Sequence, residues 1–184
     1  MAVDFGVREF QFTLLPRMAD LAPERVEEAL TELDATRAEM RAAYRRWLAM
    51  AHVPRAPRGL TRYRWALGPP ATTARRRFGD LTCGVARWPL PLWPDLLFEV
   101  LTGPGGDVWN DWLIRPPSSP TPDLPPPPDL TPWSCVVSDV SERFPGARDQ
   151  EGSAPTRWTV LIPWHDGTHR AEFVHGLLQH VTPP

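Results

Sequence analysis

Hydrophobic and polar residues alternate at the start of the chain, over residues 3–15. The apolar positions are odd-numbered up to Val7 and even-numbered from Phe10, so the buried face changes after a slip of one residue. Because side chains of a strand alternate between its two faces, this pattern predicts a β-strand with a bulge near Arg8–Glu9. Pro16 is expected to end the strand.

The next segment has a helical period. Apolar residues recur at three- and four-residue steps from Val26 to Ala51. Pro23 lies just before this series, and several glutamates lie near its start. Proline and acidic residues are favoured in the first turn of a helix. The pattern therefore predicts one long helix over Pro23–Ala51, which Val53 and Pro54 end.

Shorter periodic segments follow, and they complete the fold prediction. Alternation predicts further strands at Thr61–Trp65, Asp80–Trp88, Val108–Ile114, Trp133–Val140 and Arg157–Trp164. Two apolar segments predict shorter helices, Leu92–Leu101 and Thr168–Val181, and the polar stretch 144–156 is expected to be a loop. We therefore predict an α+β fold: a mainly antiparallel sheet of five or six strands, packed against one long N-terminal helix and two shorter helices.

Proline interrupts this series between residues 116 and 132, where nine of 17 residues are proline. Such a segment favours the polyproline II conformation and acts as a semi-rigid spacer. It is also a candidate ligand for an aromatic-lined groove, although no basic anchor flanks it. The sequence predicts a single domain over residues 1–184 with this spacer inside it.

Composition agrees with a folded chain. Among 184 residues 42% are hydrophobic and nine are tryptophan, so a core can form even though 24 residues are proline. No apolar run approaches the roughly 20 residues that a membrane helix needs, and the N-terminus lacks the pattern of a signal peptide. We expect a cytoplasmic protein without a membrane partner.

The net charge is only −2, but the charges are distributed unevenly along the chain. All 20 basic residues are arginine, which suggests a GC-rich bacterial genome. Ten of them lie between Glu39 and Asp80, where no acidic residue occurs, whereas residues 91–184 carry five arginines and twelve acidic residues. The acidic half of the chain or an external anion must compensate this positive charge.

Arginine and tryptophan are enriched at the energetic centres of protein interfaces. We therefore predict a basic face that binds an acidic protein partner, formed by Arg41, Arg45, Arg58, Arg62, Arg64, Arg75, Arg76 and Arg77. The alternation at 61–65 predicts that Arg62 and Arg64 share the outer face of a strand, opposite the aromatic residues. Sequence-nonspecific binding of nucleic acid by the same arginines is an alternative.

A third hypothesis concerns the C-terminal histidines. If Thr168–Val181 is a helix, His169, Glu172 and His175 lie near one line of it, and His165 precedes it. Histidine and carboxylate groups are suitable zinc or iron ligands, so these four residues are weak candidates for the metal site of an enzyme. The helical His-Glu-x-x-His motif is absent.

Other catalytic patterns are missing from the sequence. It contains no nucleophile elbow, no phosphate-binding loop and no Cys-x-x-Cys pair. Cys83 and Cys135 are expected to be buried, inert thiols. No catalytic residue or cofactor is predicted, and the sequence favours a non-catalytic accessory protein.

Overall fold

The structure is a computed structural model that describes residues 5–184, with the backbone alone at 151–153. The described residues contain five α-helices and eight strands in two four-stranded antiparallel sheets. The α+β class is confirmed. The single sheet of five or six strands and the single long helix are not found.

The chain forms two compact units. The first unit comprises the chain up to Pro94 together with Phe98–Asp111, and the second comprises Asp95–Leu97 and Trp112–Pro184. The single domain expected from the sequence stays a prediction. None of the described helices is long and apolar enough to cross a membrane.

Four helices precede the first sheet. They are α1 Val7–Met18, α2 Pro23–Glu32, α3 Arg37–Met50 and α4 Gly59–Leu67. The sheet contains β1 Thr72–Phe78, β2 Leu81–Leu90, β3 Trp93–Thr102 and β4 Val108–Ile114, in the order β1-β2-β3-β4. In this arrangement β1 is an edge strand.

The predicted helix over Pro23–Ala51 is wrong at its centre, because the chain leaves helical geometry between α2 and α3. Asp34 adopts a left-handed conformation with φ 46°. A capping box then starts α3: the Glu39 N–H donates to the Thr36 hydroxyl at 3.2 Å, and the Thr36 N–H donates to the Glu39 carboxylate at 2.8 Å. The capping box satisfies backbone N–H groups at the start of α3 that have no partner within the helix.

Two predicted strands of this unit are helices. Residues 3–4 lie outside the described part of the chain, and the remainder of the predicted strand 3–15 is largely α1, in which every side chain from Phe10 to Leu15 is buried. Because six consecutive side chains are buried, this part of α1 has no polar face that would show a helical period. Thr61–Trp65 likewise lies in α4.

Strand β3 replaces the predicted helix Leu92–Leu101, whereas the strands at Asp80–Trp88 and Val108–Ile114 are confirmed as β2 and β4. Both faces of β3 are largely buried. The apolar residues of a fully buried strand form a run that periodicity alone does not separate from a helix.

Aromatic contacts join the helices to the first sheet. Phe10 of α1 packs edge-on against Phe98 of β3 at 5.0 Å between ring centroids, and against Trp47 of α3 at 5.3 Å. The Trp88 indole N–H donates to the carbonyl oxygen of Gly68, the residue that ends α4, at 3.0 Å. These contacts hold α1 and the end of α4 against the sheet, and α3 packs on α1.

The second unit contains the other sheet. Its elements are α5 Val137–Arg143, β5 Arg148–Ala154, β6 Arg157–Trp164, β7 Gly167–Val174 and β8 Leu177–Thr182, with strand order β5-β6-β7-β8. The strand at Arg157–Trp164 is confirmed. The predicted strand Trp133–Val140 ends in helix α5, and the predicted loop 144–156 contains β5.

The predicted helix Thr168–Val181 is wrong, because two strands and a tight turn occupy this segment. His175 and Gly176 form the turn between β7 and β8, with φ values of 47° and 76°. Positive φ at both central residues is typical of the turns that join hairpin strands.

The proline-rich segment contributes to the core of the second unit. Leu124 and Leu130 are buried in one hydrophobic cluster with residues of α5 and of the sheet, such as Val140 and Phe173. A 3-10 turn at Pro127–Asp129 lies between the two leucines.

Candidate protein-interaction groove

All eight arginines predicted to bind a partner lie in the first unit, on three secondary-structure elements and one helix cap. Arg41 and Arg45 belong to α3, and Arg58 is the N-cap residue of α4. Two more lie within α4, and the three consecutive arginines 75–77 lie in β1, a strand that is not among the predicted ones. The change of secondary structure separates side chains that the sequence analysis placed on one face.

Arg62 serves the packing of the helices. Its guanidinium lies over the Trp47 ring, 3.6 Å from the centroid, and donates a hydrogen bond to the Trp47 carbonyl oxygen. Partial burial lowers the pKa of this arginine, and the charge of Asp111 opposes the shift. Arg62 and Arg64 therefore do not form the common exposed face that the predicted strand required.

Arg76 is held by a buried carboxylate. Glu99 of β3 has a fully buried side chain, and its Oε2 accepts hydrogen bonds from Arg76 at 3.0 Å and from Arg87 at 2.8 Å. A buried carboxylate needs such compensation, because removal from water disfavours the charged form. The guanidinium of Arg76 is thus engaged within the unit.

Arg64 and Arg75 line one open groove of about 390 Å³. Helix α4 forms one wall with Leu60 and Arg64, and β1 forms the other with Thr73 and Arg75. Residues of β2 and β3 complete the lining: Gly84, Val85, Ala86 and Thr102, together with Ala74 of β1. We call this site the α4–β1 groove.

Small side chains at the floor make room for the α4–β1 groove. A Cβ atom at Gly84 would stand 2.6 Å from the hydroxyl oxygen of Thr102, which donates a hydrogen bond to the Gly84 carbonyl at 3.2 Å. Ala86 lies two residues along the same strand face. Trp88, the next residue on that face, fills the space beneath the end of α4.

A buried hydrogen bond holds α4 in place as one wall. The Tyr63 hydroxyl donates to a carboxylate oxygen of Asp111 in β4 at 2.8 Å. Burial, reinforced by the charge of Asp111, raises the pKa of Tyr63 far above its usual range, so the hydroxyl remains a donor. The start of α4 also packs closely, since a Cβ at Gly59 would meet the Gly106 carbonyl oxygen at 3.5 Å.

Most of the predicted arginines make no ion pair with the residues that the structure describes. This holds for Arg41, Arg45, Arg58, Arg64 and Arg75, which are all exposed, and Arg77 contacts the Gly79 carbonyl oxygen at 3.1 Å. Internal pairing with the acidic half of the chain, which the sequence left open, thus does not compensate these five charges within the described residues. The α4–β1 groove combines two of them in one concave site.

The four candidate metal ligands are not brought together. His169 is buried on the core face of β7 with its Nε2 2.9 Å from an Asp166 carboxylate oxygen, whereas Glu172 lies on the opposite face and contacts Arg170 at 3.6 Å. His165 is exposed in the β6–β7 turn, and His175 lies in the β7–β8 turn. No group of three or more His, Cys, Asp or Glu residues could hold a metal ion within the described part of the chain.

Sequence reasoning identified Arg64 and Arg75 but did not place them together, and it missed the rest of the groove. The available signal was Gly84 and Ala86, two small residues at alternate positions of a strand. Glycine inside a strand often marks a close approach of another group.

Comparison with known proteins gives no family for the chain. No family model and no curated protein matches it. One solved structure that matches is described as a "putative beta-lactamase inhibitor protein" from Streptococcus mutans, with 12% sequence identity and a TM-score of 0.30. The match covers 73% of this chain and 92% of that chain. A TM-score of 0.30 is too low to assign a fold or a function to this chain.

Proposed function

We propose that the protein is a non-catalytic interaction protein that binds an acidic segment of a partner protein in the α4–β1 groove. One observation carries the proposal: Arg64 of α4 and Arg75 of β1 line the same groove, and neither makes an ion pair with a described residue. A guanidinium group binds carboxylates through charge-assisted, often bidentate hydrogen bonds.

The lining of the groove favours a protein segment over nucleic acid. Proteins that bind single strands combine basic residues with aromatic side chains on which the bases stack. The groove is lined by aliphatic, small and hydroxyl side chains beside its two arginines, and no aromatic residue is among them. Threonine and backbone groups beside arginine suit the carboxylates and amides of a peptide.

Binding in the groove is tested by reversing the charge of the two arginines. We expect the variant Arg64→Glu/Arg75→Glu to weaken binding of a glutamate-rich peptide by roughly 10- to 100-fold, because two attractive contacts become repulsive. The matched control Arg41→Glu/Arg45→Glu changes the net charge equally on exposed, unpaired positions of α3 and should change affinity less than about threefold. Isothermal titration calorimetry measures both.

Equal losses in the two variants would contradict the proposal, since they would show that net charge alone controls binding. A 20-base-pair DNA duplex serves as the second ligand in the same titration. Tighter binding of the duplex, with log K falling by about 0.9 per phosphate contact for each unit of log salt, would favour the nucleic-acid alternative.

A further inference from the structure

We propose that the outer edge of β1 receives the partner segment as a fifth, antiparallel strand of the first sheet, with acidic residues at every second position. This inference rests on the proposed function and specifies the form of the partner. Strand addition to a sheet edge is a general mode of peptide recognition, in which main-chain hydrogen bonds give affinity and alternate side chains give specificity.

The backbone of β1 leaves one set of groups available at this edge. The Ala71 N–H donates to the Arg87 carbonyl oxygen at 2.9 Å, so the carbonyl of Arg87 points towards β1. Arg87 is the register partner of Thr72. Since the direction of these groups alternates along antiparallel strands, every second residue of β1 from Thr72 to Phe78 bonds to β2.

The intervening residues, Thr73, Arg75 and Arg77, therefore direct their N–H and C=O groups away from β2. No described strand pairs with β1 on that side, because β1 is first in the strand order. The outer edge thus offers three residues whose main-chain donors and acceptors are not bonded to any described strand, in an extended geometry that another strand can continue.

The side chains of these same three residues lie on the face of the α4–β1 groove. Thr73 and Arg75 line it, and their register partners Ala86 and Gly84 form its floor. Arg77 follows on the same face by alternation. An added strand would therefore place every second side chain beside Arg75 and Arg77.

The other face of β1 does not require acidic partners. Arg76 lies there and already binds Glu99, and Phe78 at the end of the strand is 46% exposed. Leu81, its register partner across the two-residue turn, is 47% exposed. The side chains between the acidic residues are therefore expected to be uncharged, with an apolar residue suited to the position beside Phe78.

Charge argues against a second copy of this chain as the occupant. Antiparallel pairing of two β1 edges would bring arginines of one copy opposite arginines of the other, and like charges directly across a sheet are destabilising. Arginine on an edge strand generally prevents such self-association. An acidic strand reverses the sign of the same interaction.

The test uses an eight-residue peptide that alternates glutamate with threonine or valine, and two N-methylated forms of it. In an antiparallel strand, the residues opposite Arg75 and Arg77 direct their own N–H groups to β1, and these are the glutamates. We expect N-methylation of the glutamates to weaken binding at least tenfold. N-methylation of the intervening residues, the matched control, should leave the dissociation constant within about twofold of the parent.

Amide hydrogen exchange gives a second readout on the whole chain. Saturation with the parent peptide should slow exchange at Arg75 and Arg77 at least tenfold, while the Arg76 amide, already bonded to β2, should change little. Equal binding of both methylated peptides, or unchanged exchange at Arg75 and Arg77, would overturn strand addition. If strand addition were overturned but Arg64→Glu/Arg75→Glu still lost affinity, the proposed function would stand. If that variant kept its affinity, both the proposed function and strand addition would be contradicted.

Discussion

Two neighbouring arginines of β1 should respond to alanine substitution in opposite ways. Arg76→Ala removes a guanidinium 3.0 Å from the carboxylate of Glu99, which is fully buried, while Arg87 at 2.8 Å remains. Arg75→Ala removes an exposed guanidinium that makes no ion pair with a described residue. The first substitution should destabilise the fold without reducing peptide binding, and the second should do the reverse.

The magnitude follows from the contact that is lost. A hydrogen bond to a charged group contributes about 1.5–3 kcal/mol, and the 36% exposure of the Arg76 side chain screens part of that, leaving about 1–2 kcal/mol. For a chain of this length, such a loss lowers Tm by about 2–8 °C. Arg75→Ala should change stability by less than about 0.5 kcal/mol.

Thermal unfolding followed by circular dichroism gives both Tm values, and a double-mutant cycle with Glu99→Gln separates the ion pair from other effects. Arg76→Ala should cost clearly less in the Glu99→Gln background, because the charge that it compensates is gone. The reasoning is refuted if Arg75→Ala lowers Tm as much as Arg76→Ala, or if the cost of Arg76→Ala is the same in both backgrounds.

Three further predictions concern the second unit. Arg115 donates to both carboxylate oxygens of Asp139, at 3.3 and 2.8 Å, so Arg115→Ala leaves a buried carboxylate without its cation. The substitution should lower the free energy of unfolding by about 3–5 kcal/mol, measured by thermal unfolding, and a change below about 1 kcal/mol would contradict this. The hydrogen bond from His169 lowers the pKa of Asp166, so the stability it contributes is complete above the unfolded-state pKa of about 3.9 and is lost as pH falls through the lower folded pKa. Asp166→Asn should therefore lose less stability than the wild type on acidification from about pH 5 to about pH 2, as Tm measured across that range will test. Burial raises the pKa of Cys135 to about 12, so this thiol should react with a disulfide reagent at neutral pH only after denaturation, and rapid labelling of the native protein would show the burial to be wrong.

Local sequence patterns identified the fold class and three strands. Asp80–Trp88, Val108–Ile114 and Arg157–Trp164 each match a strand because alternation and flanking turn residues act locally. The Thr36–Glu39 capping box shows that more was available, since this spacing is visible in the sequence and marks a helix start. Its recognition would have divided the predicted long helix at the position where the structure divides it.

The errors arise where tertiary packing decides between two local patterns. The segment Thr168–Val181 has apolar residues at helical spacing, but pairing with β6 and the turn at His175–Gly176 make it a hairpin. Conversely, alternation at Thr61–Trp65 suggests a strand, whereas the segment lies in helix α4 and Tyr63 is on the buried side of that helix. In both cases the neighbouring element against which the segment packs lies outside the segment, so its local sequence does not show it.

The candidate site was predictable in composition and not in geometry. The excess of arginine between Glu39 and Asp80 pointed to a basic surface, and Arg64 and Arg75 were among the residues named. Their positions in one groove depend on how α4 packs against the sheet, which no local pattern of the sequence shows. Arg62 and Arg76 stabilise the fold instead. Arg62 contacts Trp47 and Arg76 binds Glu99, and neither partner is close to its arginine in the sequence.

The central claim is tested most directly by capturing proteins from nuclease-treated lysate of the source organism on three immobilised forms of this chain: wild type, Arg64→Glu/Arg75→Glu and Arg41→Glu/Arg45→Glu. The account predicts an acidic protein that the wild type and the α3 variant retain after nuclease treatment and that the groove variant loses. Retention of the same proteins by all three forms, or complete loss of binding after nuclease treatment, would contradict it.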